Sequence, residues 1–165
     1  MQLQQDKNVN SGDDCRTVAA IVAGMKHLPG ALLPVLHGVQ DVLGYIPQAT
    51  VSTIADGLNL SRAEVHGVIS FYHHFRTAPT GRHVIQLCRA EACQAVGARQ
   101  LEKHVTAALQ IAVGDTSENG EVTLLPVYCL GNCACGPSLQ LDDEVYGRVT
   151  LDRFDALLRD IGVEQ

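Results

Sequence analysis

Two runs rich in branched residues, HVIQLC at 83–88 and VTLLPVY at 122–128, each lead directly into a pair of cysteines. Cys88 and Cys93 are spaced C-x4-C; Cys129 and Cys133 are spaced C-x3-C. Both runs read as strands, and residues 94–112 between them carry Leu101, Val105, Ala108, Leu109 and Ala112 at helical spacing. A strand, a crossover helix and a strand form a parallel unit, right-handed in nearly all cases. Parallel neighbours lie roughly 5 Å apart and end on the same edge of the sheet. The four thiols are therefore expected to meet at one end of the sheet, where open α/β folds hold their ligands. Gly131 and Gly136 suit a chain that wraps closely around something there.

The rest of the C-terminal half fits the same layout. VGDTSENGE reads as a solvated turn, and SLQLD and EVYGRV as short antiparallel strands around Asp142 and Asp143. A final helix is expected after Thr150, with Phe154, Leu157, Leu158 and Ile161 facing inward. Residues 81–165 thus read as an α/β domain and residues 15–80 as a small helical bundle. In the bundle, Val35, Leu36, Val39, Val42 and Leu43 form a stripe that opens near Pro34 and ends at Gly44. ATVSTIADGL forms a second helix. Ser61 and Glu64 form a capping box ahead of a third, which carries Val65, Val68, Ile69 and Tyr72.

IADGLNLSRAEVHGVISFY has the outline of a DNA-binding helix-turn-helix, but residues 51–72 set Arg62 against Asp56 and Glu64. Such a helix offers phosphates almost nothing, so a hairpin packing its own core is the reading that survives. The chain's net charge of −6 likewise speaks against nucleic acid or an anionic membrane as partner. Residues 1–14 are polar, lack the apolar run of a signal peptide, and read as a disordered leader. No stretch approaches the length of a membrane-spanning helix, so a cytoplasmic protein is expected.

With 46% apolar residues over 165 positions, a core can form without disulfides. In a reducing compartment, clustered cysteines point to metal or redox chemistry. Three readings stay open on chemistry alone. A [2Fe-2S] cluster takes four cysteines, and loop amides can tune it. Structural zinc also takes four, though its pairs are usually spaced C-x2-C to C-x4-C and it usually staples domains with poor cores, which would make the chain an adaptor that only holds an assembly together. Thiol-disulfide exchange is the third, but no C-x-x-C opens a helix.

The C-x4-C, the 35 residues after it, the C-x3-C of CLGNC and Pro137 beyond it resemble the thioredoxin-like [2Fe-2S] subunits of NADH-linked oxidoreductases. That family includes the E-type subunit of bacterial complex I, the matching subunit of NAD(P)-linked hydrogenases and the gamma subunit of soluble NAD-dependent formate dehydrogenases. The likeness extends through LPVLHGVQDVLGYIP and GVISFYHHFRTAPTGRHVIQLC, over residues 30–160. SFYHHFRTAPTGRHVIQLCRAEAC and CLGNCACGP look most like the formate dehydrogenase branch.

The resemblance implies a helical bundle followed by a thioredoxin-like α/β [2Fe-2S] domain, with Cys88, Cys93, Cys129 and Cys133 as ligands of one cluster. It implies electron exchange with a partner subunit that holds FMN and binds NAD, and a larger formate-oxidising iron-sulfur subunit with a molybdenum or tungsten centre. A homodimer of the isolated chain through the helical half is a further possibility.

Other candidates read as structural. Cys135 stands where the complex I branch commonly lacks a cysteine, and is read as an adjacent thiol rather than a ligand. Cys15 is placed ahead of the first helix, without a role. His73 and His74 have no partner ligand in the sequence, and Phe71, Tyr72 and Phe75 are expected to fill the bundle or its junction with the second domain. No triad, phosphate loop or paired-carboxylate site indicates independent catalysis.

Overall fold

The computed structural model describes residues 11–163, and the chain divides between Pro79 and Thr80 into two units.

The first unit is all helix: α1 (Ser11–Met25), α2 (Leu32–Leu43), α3 (Val51–Leu58) and α4 (Arg62–Phe71), with a 3-10 turn over Gln48–Thr50. α2 stops at Gly44, whose φ of 80° closes a left-handed cap with its N–H on the Gln40 carbonyl at 2.7 Å. Asn59 ends α3 in the same left-handed region at φ 53°. α4 opens with the expected reciprocal box: Glu64 N–H donates to Ser61 Oγ at 3.2 Å, and Ser61 N–H donates to Glu64 Oε2 at 2.8 Å. Val18, Val22, Leu36, Val39, Ile54 and Val65 lie in its buried core. α1 and α3 approach so closely that a Cβ on Gly57 would sit 2.5 Å from Val22 Cγ1. The buried Gln40 amide pins the segment after α4, donating to the His74 carbonyl at 3.0 Å and accepting from Arg76 N–H at 2.7 Å.

Three expectations change in this unit. Residues 11–14, assigned to the leader, form the first turn of α1, where Asp13 and Asp14 meet the positive end of the helix dipole; the remainder of that leader lies outside the described residues. Cys15 accordingly lies inside α1, where its thiol approaches the Ala49 carbonyl at 4.0 Å. Phe75 is in the core, but Phe71 is 73% exposed and Tyr72 packs edge-to-face on it at 5.0 Å. Both rings border a groove of about 780 Å3 beside Leu28, Leu32 and Leu60.

The second unit is built on a sheet of order β2-β1-β3-β4. β1 (His83–Cys88) pairs parallel with β2 (Val122–Val127), from His83 opposite Val122 to Cys88 opposite Val127. β3 (Leu139–Leu141) joins the other side of β1 antiparallel and hairpins into β4 (Glu144–Tyr146). At the hairpin, Asp142 accepts from Val84 N–H and pairs with His83 Nδ1, both at 2.8 Å. Ile85, Leu87 and Leu124 of the sheet share one core with Leu101 and Val105 of α6 (Ala98–Leu109) and Phe154 and Leu158 of α7 (Leu151–Asp160).

The crossover differs from the single helix expected over 94–112. Gly97, at φ 103°, divides it into α5 (Glu91–Ala95) and α6, and Gln110 ends α6 at φ 55°. A residue in that left-handed region cannot continue an α-helix, so the apolar stripe persists while the backbone breaks. Among the described residues, no helix is long and apolar enough to cross a membrane.

Candidate metal centre

Sheet register places the thiols. Cys88 is the last residue of β1, opposite Val127, so Cys129 lies just beyond the same edge. The ladder runs on past β1, with Arg89 N–H donating to the Val127 carbonyl at 2.7 Å and Cys88 N–H to the Ser138 carbonyl at 3.1 Å. The chain then turns into α5, which returns Cys93 to Cys88. Both are buried, at 3% and 1% exposure, against Ala98, Ala90, Val127 and Leu130.

The second pair forms an exposed lip. Gly131, at φ 73°, turns the loop so that its N–H donates to Cys129 Sγ at 3.3 Å, and the Cys129 and Cys133 sulfurs are 3.6 Å apart. Cys133 opens the 3-10 turn Cys133–Cys135. This loop lies directly on α5, since a Cβ on Gly136 would stand 2.8 Å from Val96 Cγ2 and 3.5 Å from Cys93 Sγ. It is fastened below as well: Arg148 N–H donates to the Cys135 carbonyl at 2.5 Å and Val149 N–H to the Pro137 carbonyl at 3.0 Å. Gly147 leaves room for that contact, because its Cβ would meet Asn132 Nδ2 at 2.5 Å and Cys135 Cβ at 2.8 Å. Cys135 is thus a structural part of the loop, half-buried.

The electrostatics separate Cys93, Cys129 and Cys133. The Gly131 amide, and then the Cys133 thiol, hold the Cys129 thiol below its ordinary pKa by favouring its anion. Cys133 is pushed up, first by its hydrogen bond with Cys129. Burial pushes Cys93 up, and its hydrogen bond with Cys88 adds to this. The pairs also sense one another: charge on Cys133 lifts Cys93, and charge on Cys88 lifts Cys133.

The sequence-expected ligands therefore come together as two pairs at one sheet edge. Among the described residues, no three Cys, His, Asp or Glu side chains are close enough to hold a metal ion together. This arrangement discriminates between donor geometries. Two thiolates on one tetrahedral metal at about 2.3 Å lie about 3.8 Å apart. A lone ion requires that spacing among all four sulfurs, whereas a two-metal cluster requires it only within each pair. The 3.6 Å separation of Cys129 and Cys133 fits two thiolates on one metal. The donors are all thiols, one pair lies in an apolar wall, and the other accepts an amide; these features suit an iron-sulfur cluster. His73 and His74 belong to the first unit, where the His74 and His37 rings lie 5.1 Å apart.

Sequence reasoning missed α5, the short helix that carries Cys93. It also missed a charged cleft on the outer side of that helix, lined by Arg89, Arg99, Glu102 and Lys103. The signal was available in the cations that follow the first cysteine pair.

Comparison with known proteins supplies the family. NADP-reducing hydrogenase subunit HndA of Solidesulfovibrio fructosivorans is 32% identical over 143 residues, covering 87% of this chain and 84% of that subunit. The E-type subunit of NADH-quinone oxidoreductase from Escherichia coli (strain K12) is 34% identical over 128 residues, covering 78% and 77%. NADH-quinone oxidoreductase subunit 2 of Thermus thermophilus is 36% identical over 129 residues, covering 78% and 71%. In fold, the chain is similar to the crystal structure of an NAD+-reducing [NiFe]-hydrogenase in the air-oxidized state, with a TM-score of 0.68 at 24% identity over 79% of this chain. It spans 22% of that hydrogenase chain. The thioredoxin-like [2Fe-2S] ferredoxin family matches residues 18–162, which is most of the molecule. The chain belongs to the thioredoxin-like [2Fe-2S] ferredoxin family.

Proposed function

We propose that Cys88, Cys93, Cys129 and Cys133 hold one [2Fe-2S] cluster, and that the chain relays single electrons as a subunit of a cytoplasmic NAD-dependent formate dehydrogenase. The observation that carries the ligand set is the convergence of two thiol pairs on one sheet edge, with 3.6 Å between the sulfurs of the outer pair. When bound, such a cluster exchanges one electron at a time, at a potential near roughly −400 mV for four-cysteine centres. The chain's own residues hold and tune it. Cys88 and Cys93 exclude water on the inner side, the Gly131 N–H stabilises negative charge on Cys129, and the loop after Cys133 closes against Val96.

The partners that suit this role are an FMN- and NAD-binding subunit and a larger formate-oxidising subunit with a molybdenum or tungsten centre. The formate dehydrogenase branch is supported by the run SFYHHFRTAPTGRHVIQLCRAEAC and by CLGNCACGP. The equivalent subunit of complex I or of an NAD(P)-linked hydrogenase is the second reading, supported by the names of the relatives. A zinc-stapled adaptor fits less well, because structural zinc usually staples domains with poor cores and this unit has a core of its own, with Ile85, Leu124 and Phe154 buried.

Low-temperature electron paramagnetic resonance of anaerobically purified protein tests the cluster. A signal that appears on dithionite reduction and integrates to about one spin per chain is expected. Serine at any of the four cysteines should weaken or abolish it, while Cys15→Ser and Cys135→Ser keep it. Full retention in one of the four removes that residue from the ligand set. The parent enzyme is tested by purifying the chain with its neighbours: formate-dependent NAD+ reduction supports the dehydrogenase, and hydrogen- or quinone-linked activity without it supports the second reading.

A further inference from the structure

We infer that the cationic cleft on the outer side of α5 and α6 docks a carboxylate-bearing surface of the protein that exchanges electrons with this chain. The cleft, of about 360 Å3, is lined by Arg89, Gln94, Ala98, Arg99, Glu102 and Lys103. Its two arginines are each held by one edge only. Arg89 Nε pairs with Glu102 at 3.0 Å, and Arg99 Nε donates to Gln94 Oε1 at 2.9 Å. Gln94 is itself fixed through Nε2 on the Arg89 carbonyl at 2.6 Å. Among the described residues, the outer guanidinium nitrogens of both arginines and the Lys103 ammonium bond nothing. Two guanidiniums fixed by Nε and open at their Nη edges form a prepared receptor for carboxylate oxygens.

Position and charge indicate what fills it. Arg89 follows Cys88 and Gln94 follows Cys93, so one segment carries the buried thiols on one side and the cleft on the other. Val96, 54% exposed, lies between α5 and α6 and touches the second cysteine loop at Gly136. A protein that settles on this cleft lies against the segment that carries Cys88 and Cys93. The chain as a whole carries −6, so an acidic partner is repelled over most of its surface and attracted here, which orients the encounter. No glycine-rich loop or stacking aromatic lines the cleft, as a nucleotide phosphate would call for.

The proposal rests on the reading of the chain as a subunit. Its test is to purify the affinity-tagged, cluster-bearing chain with its native complex and to measure the partner protein retained as NaCl is raised. The double variant Arg99→Glu/Lys103→Glu should retain at least about tenfold less partner near about 150 mM NaCl than wild type, with an unchanged cluster resonance signal. Lys26→Glu/Arg159→Glu, which alters net charge equally at residues that do not line the cleft, should behave as wild type. Retention by the first variant equal to wild type, or equal loss in the control, overturns the proposal. So does pyrophosphate binding to the isolated chain that the first variant abolishes while its complex stays intact. If the first variant loses its cluster signal, Arg99→Gln/Lys103→Gln decides by the same retention comparison. If the wild-type chain retains no partner at any salt concentration, the subunit reading falls as well.

Discussion

Replacing Gly57 with alanine adds one methyl group to the closest approach between α1 and α3. The new Cβ would lie 2.5 Å from Val22 Cγ1, against a preferred carbon-carbon separation of about 3.5–4.0 Å. Val22 is 3% exposed, and its branched Cβ leaves it few rotamers to escape into. The two helices must therefore move apart by about 1 Å, and overpacking of this kind costs about 1–3 kcal/mol. Alanine's better helix propensity returns about 1 kcal/mol, which leaves a net loss of about 0–2 kcal/mol. Val22→Ala alone should cost about 2 kcal/mol in lost burial. Together the changes should be less harmful than their sum, because the added methyl occupies the space the removed ones vacate, giving a coupling of about 1–2 kcal/mol. Urea unfolding of the four proteins, followed by far-UV circular dichroism, measures this cycle. The cluster signal should be untouched in all of them, since both positions lie in the first unit. Strict additivity of the two changes would refute the steric argument.

Three further outcomes follow from caps and loops. Ser61→Ala removes an N-cap and should cost about 1 kcal/mol. Because the Ser61 amide, and then its hydroxyl, hold the Glu64 carboxyl below its usual range, the benefit of ionised Glu64 is present at neutral pH, above its unfolded pKa. That benefit is lost as pH falls through the depressed folded value, so wild type and Glu64→Gln should converge in urea midpoint on acidification; a constant gap would count against the assignment. Gly136→Ala drives a Cβ into Val96 Cγ2 and should loosen the second cysteine loop, lowering cluster retention on gel filtration, with recovery in Val96→Ala/Gly136→Ala. No recovery in the double variant would place the fault elsewhere.

Much of this architecture was legible because local chemistry and tertiary context agree. The capping box at Ser61, the stop at Gly44 and the strands at 83–88 and 122–127 are all where composition and periodicity put them. Where the reading failed, a backbone angle or a neighbour overruled the pattern. Gly97 interrupts a stripe that otherwise looks continuous, and no periodicity reports the sign of φ. Asp13 and Asp14 look like solvated tail residues until the apolar face of α1 finds α3 to pack on. Phe71 is aromatic and reads as an inward residue, yet α4 presents it outward, which a single helix's pattern does not reveal. At the candidate site, spacing and strand order sufficed to bring the thiols together, whereas the contrast between a buried and an exposed pair depends on Ala98, Val127 and Leu130 packing against the first.

The register between β1 and β2 has an evolutionary consequence. Cys88 stands opposite Val127 at one end of the paired strands, while at the other end His83 faces Val122, next to the polar turn 113–121. Residues added at the tip of that turn, around Glu118, lie at the far end of the strands from the thiols and outside the bonds that tie Gly114, Asp115 and Ser117 to β2 and Gly120 and Glu121 to β1. One residue added within β2 or between Val127 and Cys129 shifts a sulfur by a strand step of about 3.3 Å and turns it to the opposite face of the sheet. Descendants of this chain should therefore differ in length at the turn and keep a constant count at the cysteine edge. The sheet sorts its own tolerated changes, with one end open to variation and the other held to a fixed measure.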